Sequence, residues 1–159
     1  MDENLKKHAK DLLESGKLEE LHDFIQPYLL KNEPYAIYLS SCFSLHGYSE
    51  TSEEFSRRSV QLRTLASSMG VAEASYNMGV NHLYGDDVEQ DFIKSNMYFE
   101  RAINQGHSHT KFTFGFSLYY GNNAVEKNIA RGLSLLEEAA REGIEEAISE
   151  LRVIQENNV

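Results

Sequence analysis

The feature that most limits how this chain can fold is an internal repeat marked by two glycines. Gly79 and Gly85 recur as Gly115 and Gly121, each 36 residues later, and the residues before each glycine correspond as well. A period of this length is typical of helical hairpins that stack on one another, because a single hairpin cannot bury its apolar face alone. The repeat therefore predicts an array of helix pairs.

The second half of the repeat also returns, with a small insertion. Val88–Asp91 corresponds to Val125–Asn128, and Tyr98–Gly106 corresponds to Leu135–Gly143, after one extra residue near positions 122–124. The period is therefore 36 to 37 residues.

A weaker copy precedes the two clear repeats. It begins at Ala36–Tyr38, carries Ser41 at the first glycine position and Gly47 at the second, and ends at Ala66–Gly70. One step earlier, Asn32 falls where a helix should end, and asparagine tolerates the left-handed conformation that such an end requires. The array therefore fades towards the amino terminus, where we expect capping helices.

Apolar residues at helical spacing fill each repeat, and cap and turn residues separate the helices. Gly85 suits the left-handed end of one helix, while Asp91 and Asn128 suit the N-caps of others, because a short side-chain oxygen accepts a backbone N–H. The pattern predicts about nine helices, near residues 3–14, 18–31, 35–46, 52–69, 72–84, 91–105, 108–120, 128–142 and 145–156.

These helices predict an all-α fold, a right-handed α-solenoid of stacked antiparallel helix pairs. The length suits a single domain over residues 1–159. In this arrangement residues 1–34 form N-terminal capping helices, residues 35–71, 72–107 and 108–143 form the repeats, and residues 144–156 form a C-terminal capping helix.

Gly79 and Gly115 are expected in the middle of helices, where glycine costs about 1 kcal/mol relative to alanine. Their recurrence indicates that a neighbouring helix needs the space of the missing side chain. Leu62, Tyr98 and Leu135 occupy equivalent apolar positions, and we expect them to contribute to one continuous core.

The repeat resembles the Sel-one-like repeat, a relative of the tetratricopeptide repeat, over about residues 35–143. The matching residues are Met78-Gly79, Gly85, Val88, Asp91, Lys94, Tyr98-Phe99, Ala102 and Gly106 in one copy, and Gly115, Gly121, Val125, Arg131, Ala139-Ala140 and Gly143 in the next. The chain departs from the family pattern at Asp87, Ser95, Gly132 and near Asn123. The resemblance implies adaptor or scaffold roles, and some small bacterial members resemble immunity proteins that neutralise a cognate toxin.

The chain is acidic, with 25 acidic and 15 basic side chains, a formal net charge of −10 and a pI near 5.0. This charge is opposite to that of a phosphate-binding surface, so we expect no nucleic-acid partner. The same charge would speed encounter with a basic protein, but many soluble proteins are acidic merely for solubility. No secretory signal or membrane-spanning run is visible, so we expect no membrane interaction. The single cysteine, Cys42, fits a reducing cytoplasm.

Candidate chemical sites are few and incomplete. His107 and His109 stand two residues apart, but no carboxylate or thiol lies at matching spacing, so we expect no metal. Cys42 and His46 form an i, i+4 pair without an orienting third group or an oxyanion site. His82 falls on an apolar helix face and is expected to pack in the core.

Three acidic pairs are typical of solvated helix faces and turns: Asp86-Asp87, Glu137-Glu138 and Glu145-Glu146. Solenoid helices place acids on outer faces rather than in a closed cleft. We therefore expect a protein that is not an enzyme, with no catalytic residues and no cofactor. A hydrolase that uses solenoid carboxylates stays the lesser alternative.

The expected function is a non-enzymatic protein-binding module that uses the concave surface of the solenoid. A sharper form is a stoichiometric inhibitor of a basic toxin or enzyme, such as a bacterial toxin-immunity protein. The alternative is a general adaptor with several weak partners. The sequence leaves the oligomeric state open.

Two stripes of side chains locate the expected binding surface. They lie at i, i+4 and i+7 in the first helices of the two clear repeats, at positions that the core does not use. One alternative is that these residues occupy ordinary solvated helix positions. Another is that the binding site lies on the acidic outer edge. The predicted protein-binding residues are Asn77, Asn81, Tyr84, Thr113, Ser117 and Tyr120.

Overall fold

The computed structural model describes residues 1–45, 50–122 and 125–157. Within these ranges the regular elements are all α-helices, without a strand. None of these helices is long and apolar enough to cross a membrane. The helices are α1 (Glu3–Glu14), α2 (Leu18–Leu29), α3 (Pro34–Ser40), α4 (Ser52–Ser68), α5 (Ala72–Tyr84), α6 (Phe92–Asn104), α7 (Ser108–Tyr120), α8 (Ile129–Arg141) and α9 (Glu145–Glu156).

The predicted helix boundaries lie within two residues of the observed ones, except at the end of α3. The sequence predicts a helix to residue 46, whereas α3 ends at Ser40. Arg58 of α4 explains the early end, because it donates to Ser40 O at 2.7 Å and to Phe43 O at 3.2 Å. In a continuing helix these carbonyls would accept backbone N–H groups, and here the guanidinium of Arg58 takes their place. His46 and Gly47 lie outside the described residues, as do residues 123 and 124 of the insertion.

Both predicted N-caps are confirmed. The carboxylate of Asp91 accepts the backbone N–H groups of Ile93 and Lys94, each at 3.0 Å. The side-chain oxygen of Asn128 accepts the N–H of Arg131 at 3.0 Å. Each bond satisfies a donor that the first turn of a helix leaves without a partner.

The chain reverses direction after α5 and α7 through glycines in the left-handed region. Gly85 has φ +77° and Gly121 has φ +76°, a conformation that glycine reaches without steric cost. Asn32, predicted at an earlier helix end, has φ +52°. The three predicted helix ends are therefore confirmed.

Close contacts divide the chain into two compact units, Met1–Met78 and Gly79–Val159. In the first unit α1 packs on α2, α2 on α3 and α3 on α4; in the second, α6 packs on α7, α7 on α8 and α8 on α9. Of the three expected core positions, Leu135 is buried, whereas Leu62 and Tyr98 are half-buried. Organisation as a single domain stays a prediction.

Helices α7 and α8 run antiparallel, as the repeat predicts. Lys111, near the start of α7, forms an ion pair with Glu142, which follows the end of α8. At the other end, the N–H of Asn128 donates to Leu118 O at 2.8 Å.

Small residues mark the point where the two helices of a repeat cross. Ser59 Oγ donates to Ser41 O, and Ser95 Oγ donates to Gly79 O, both at 2.8 Å. A Cβ on Gly79 would lie 2.6 Å from ring carbons of Phe99. The close approach predicted at Gly79 is therefore confirmed, and Ser95 replaces the family's alanine with a hydroxyl that donates across the crossing.

The last repeat has no side chain at this crossing. A Cβ on Gly132 would lie 2.6 Å from Tyr119 N and 2.8 Å from Gly115 O, and a Cβ on Gly115 would lie 2.9 Å from Leu135 Cβ. The backbone atoms of a packed helix cannot shift to make room for an added Cβ, whereas the end of a flexible side chain can rotate away. The helices therefore approach to a distance that only glycine permits, which confirms the prediction at Gly115 and explains the departure at Gly132.

Replacing Gly132 by alanine tests this crossing. We expect Gly132→Ala to lower the free energy of unfolding by about 1–3 kcal/mol, because the added methyl overlaps the α7 backbone. The helix propensity of alanine, about 1 kcal/mol better than that of glycine, opposes but does not cancel this effect. Urea denaturation followed by circular dichroism measures the change. Ser134→Ala, at an exposed position of α8, is the control; unchanged or higher stability in Gly132→Ala would contradict the close crossing.

Candidate functional site

On α5, the structure separates the three predicted binding residues by exposure. Asn77 is half-buried, and its Nδ2 donates to the hydroxyl of Tyr38 at 3.1 Å. Asn81 is 7% exposed, whereas Tyr84 is 67% exposed. Of this set, only Tyr84 presents most of its side chain to solvent.

The same separation occurs on α7. Thr113 is half-buried and donates to Thr110 O at 3.3 Å. Ser117 is 5% exposed and donates to Thr113 O at 3.0 Å, whereas Tyr120 is 40% exposed. Tyr84 and Tyr120 are therefore the exposed members of the two predicted stripes.

The expectation that the core does not use these positions is wrong at Asn81 and Ser117, which are both buried. Each follows a buried core residue by three positions, Met78 and Phe114, so helix periodicity places it on the buried arc. The hydroxyl of Ser117 bonds within its own helix and can be buried at little cost. The amide Nδ2 of Asn81 is buried without a hydrogen-bond partner among the described residues. Protein binding by the six predicted residues stays a prediction.

A row of aromatic side chains occupies the arc of α7 that remains accessible. His109, Phe112, Phe116 and Tyr120 follow one another at intervals of three, four and four residues, which places them on one helix face. Successive ring centroids lie 6.0, 6.2 and 4.7 Å apart. The first three rings are half-buried. We call these four residues the aromatic stripe; its spacing is visible in the sequence, although only Tyr120 was predicted.

Helix α9 adds carboxylates beside this stripe. The hydroxyl of Tyr120 donates to Glu150 Oε1 at 2.5 Å. Glu146, four residues earlier on the same face of α9, is exposed. We call Glu146 and Glu150 the acidic edge. The stripe and the edge meet where the ring of Tyr120 and the carboxylate of Glu150 lie side by side.

The electrostatic environment of this surface is negative. Residues 137–156 contain seven glutamates and two arginines. The bond to Glu150 raises the pKa of Tyr120 to about 12, so its hydroxyl stays a donor at neutral pH. Lys111 of α7 forms ion pairs with Glu142 and Glu138, and these carboxylates raise its pKa. Its positive charge is therefore paired at the end of α8.

The histidines of the second unit have structural contacts. His107 caps α7, since its Nδ1 accepts the N–H of Thr110 at 3.2 Å. His82 is buried and stacks on Tyr98 with ring centroids 5.7 Å apart, which confirms its packing in the core. In residues 1–45, 50–122 and 125–157, no three His, Cys, Asp or Glu side chains gather as a metal site would require.

Cys42 lies in a protected position of the first unit. Burial raises the pKa of its thiol, which contacts Tyr38 O at 3.4 Å. The thiol is therefore protonated at neutral pH, and the thiolate that nucleophilic catalysis needs is disfavoured. The other member of the sequence pair, His46, is outside the described residues.

A cavity of about 550 Å³ in the first unit brings carboxylates beside apolar side chains, among them Phe43. Arg58 holds the pKa of Glu50 below its usual range, and the N–H and hydroxyl of Thr51 lower the pKa of Glu54. A general acid at neutral pH needs a raised pKa instead. Both carboxylates are therefore ionised at neutral pH.

The comparisons with known proteins agree with the repeat. The family model described as Sel1 repeat matches residues 72–107 and 115–144. No curated protein matches the sequence.

Two crystal structures share the fold. One is a Sel1 repeat protein from Oxalobacter formigenes, with a TM-score of 0.69 and 20% identity over 90% of this chain. The other is c5321, described as a protective antigen present in uropathogenic Escherichia coli strains displaying an SLR fold, with a TM-score of 0.71 and 19% identity over 87% of this chain. The matches span 59% and 29% of those chains. They show that this chain has an all-α solenoid fold.

The bond between Tyr120 and Glu150 predicts how the phenol titrates. Because the carboxylate raises the pKa of Tyr120 to about 12, the bond is intact below pH 10 and is lost as the pH rises towards 12. At pH 10.5 we expect the ¹³Cζ NMR signal of Tyr120 to report a neutral phenol. In Glu150→Gln the same signal should shift towards phenolate, whereas Glu145→Gln, on the opposite face of α9, should leave it unchanged. Equal signals in all three proteins would contradict the bond.

Proposed function

We propose that this chain, in which two segments match the Sel1 repeat, binds another protein through the aromatic stripe of α7 and the acidic edge of α9. Sel1 repeats generally mediate protein–protein interaction. Equivalent first helices line the concave side of a solenoid; α7 is the first helix of the last repeat, and the capping helix α9 follows that repeat. The proposal needs no cofactor and no catalytic group.

The observation that carries this proposal is the continuous contact of rings along α7 from His109 to Tyr120. Aromatic side chains supply large contact areas with few rotatable bonds, and they are enriched in the cores of protein interfaces. Tyr120 adds an exposed ring at one end of the row. A partner side chain can therefore find apolar area and polar groups in the same place.

The sharper proposal is a stoichiometric inhibitor of one basic enzyme, such as a toxin neutralised by its immunity protein. The net charge of −10 and the glutamates of residues 137–156 support it, because an acidic surface steers and complements a basic active site. A cytoplasmic location belongs to the same proposal.

A second observation favours the adaptor alternative. Ile93 and Met97, one turn apart on α6, are 76% and 58% exposed. This apolar surface would serve a second, independent partner. Affinity purification from the native host distinguishes the two roles: one tight enzyme partner at equal stoichiometry supports inhibition, and several weak partners support an adaptor.

Substitutions on the stripe test the binding site once a partner has been purified. We expect Phe116→Ala and Tyr120→Ala each to weaken binding by about 2 kcal/mol or more, as interface anchors do. Tyr84→Ala tests in the same way whether α5 contributes. Isothermal titration calorimetry measures the affinity, and circular dichroism checks that the helices remain.

Leu30→Ala is the matched control, because it also truncates an exposed apolar side chain, but at the end of α2. Its affinity should equal that of the parent protein. Loss of affinity in Leu30→Ala, with Phe116→Ala and Tyr120→Ala unaffected, would move the site to the first unit and contradict the proposal.

A further inference from the structure

We propose that Phe116, Tyr120 and Glu150 form a subsite for an arginine side chain of the partner protein. This inference rests on the proposed function and names the chemistry that the surface recognises. It arises from a carboxylate placed at the edge of two neighbouring aromatic rings.

Two aromatic rings and a carboxylate lie together at this point of the surface. The rings of Phe116 and Tyr120 lie 4.7 Å apart between centroids and are inclined by 48°, and Tyr120 is 40% exposed. The Tyr120 hydroxyl bonds to Glu150 Oε1, so the carboxylate is held at the outer end of the tyrosine ring. A carboxylate accepts about four hydrogen bonds, and one donor therefore leaves capacity for a second.

Arginine fits these groups better than lysine does. Its guanidinium is planar, so it stacks on an aromatic face while its N–H groups point sideways to a carboxylate. A lysine ammonium has no such plane and is more strongly hydrated. A ring with a carboxylate at its edge therefore selects the guanidinium by shape as well as by charge.

The first unit contains the same arrangement with its arginine in place. The guanidinium of Arg58 lies over the ring of Phe55, 5.3 Å from the centroid. The same group forms two bonds to Glu50, from Nε to Oε1 at 2.6 Å and from Nη2 to Oε2 at 2.9 Å. The carbonyls Ser40 O and Phe43 O also accept from this guanidinium, so the ring and the glutamate form part of a site that holds an arginine.

At the stripe the ring and the glutamate are present, but the described residues place no cation over Phe116 or Tyr120. Two basic side chains of the second unit pair with other carboxylates: Lys111 with Glu138 and Glu142, and Arg131 with Glu100. The arginine would therefore come from the partner.

The test uses N-acetyl-L-arginine methylamide as the probe, so that it does not depend on the partner. Titration into the isotope-labelled full chain should shift the NMR signals of the Tyr120 ring and the Glu150 side chain, with a Kd on the order of 1 mM, as expected of a single side chain. The citrulline analogue has the same shape without the charge, and the lysine analogue has the charge without the plane. Both should bind at least about fivefold more weakly.

Two variants locate the carboxylate. Glu150→Gln should weaken arginine binding about tenfold and leave citrulline binding unchanged, because only the charged pair is lost. Glu145→Gln removes the same charge from the opposite face of α9 and should change neither affinity. Equal affinities for arginine and citrulline, equal effects of the two variants, or no localised shift with arginine would each overturn the arginine subsite.

These outcomes are separate from those of the proposed function. If Phe116→Ala weakens binding of the native partner but the arginine probe does not bind, the surface is a binding site and the arginine subsite is wrong. If the probe binds but the stripe variants leave partner affinity unchanged, the proposed function is wrong at this surface.

Discussion

The helix crossing within each repeat is the constraint on which the other features depend. Each crossing puts a residue without a bulky side chain against the backbone of the first helix: Ser59, Ser95 and Gly132 in successive repeats. The serines bond to the carbonyl opposite, whereas the glycine lets the two backbones approach directly. The crossing fixes the two helices relative to each other. It therefore also determines the turn between them and which face of each helix is buried.

The buried face of α7 determines which of its side chains remain accessible. The crossing uses Gly115, and the core uses Phe114 and Leu118, so one arc of the helix is left accessible. That arc carries rings rather than solvated polar groups. Glu150 of α9 contacts this arc, and its carboxylate accepts the Tyr120 hydroxyl. The same carboxylate gives the surface a negative charge. The chemistry of this surface therefore comes from two helices, α7 and α9, which the bond between Tyr120 and Glu150 joins.

The fold could be predicted from the sequence because its signals are local and repeated. The glycine pair returns after 36 residues and the N-cap Asp91 returns as Asn128 after 37, and each acts within a few residues of its position. The early end of α3 could not be predicted, because it depends on Arg58, 18 residues beyond Ser40. The site was predicted only in part. Asn81 and Ser117 are polar but share an arc with core residues, whereas the aromatic spacing that marks the exposed arc resembles a core pattern in the sequence.

The crossing and the aromatic stripe occupy different arcs of α7, although Gly115 and Phe116 are neighbours in the chain. Replacing a stripe residue therefore alters no atom on which the approach of α8 depends. Partner preference can then diverge among descendants of this protein while the backbone stays the same. The same separation makes α7 and α9 a scaffold for selecting new binding specificities from libraries, with the stripe positions varied and the glycines kept.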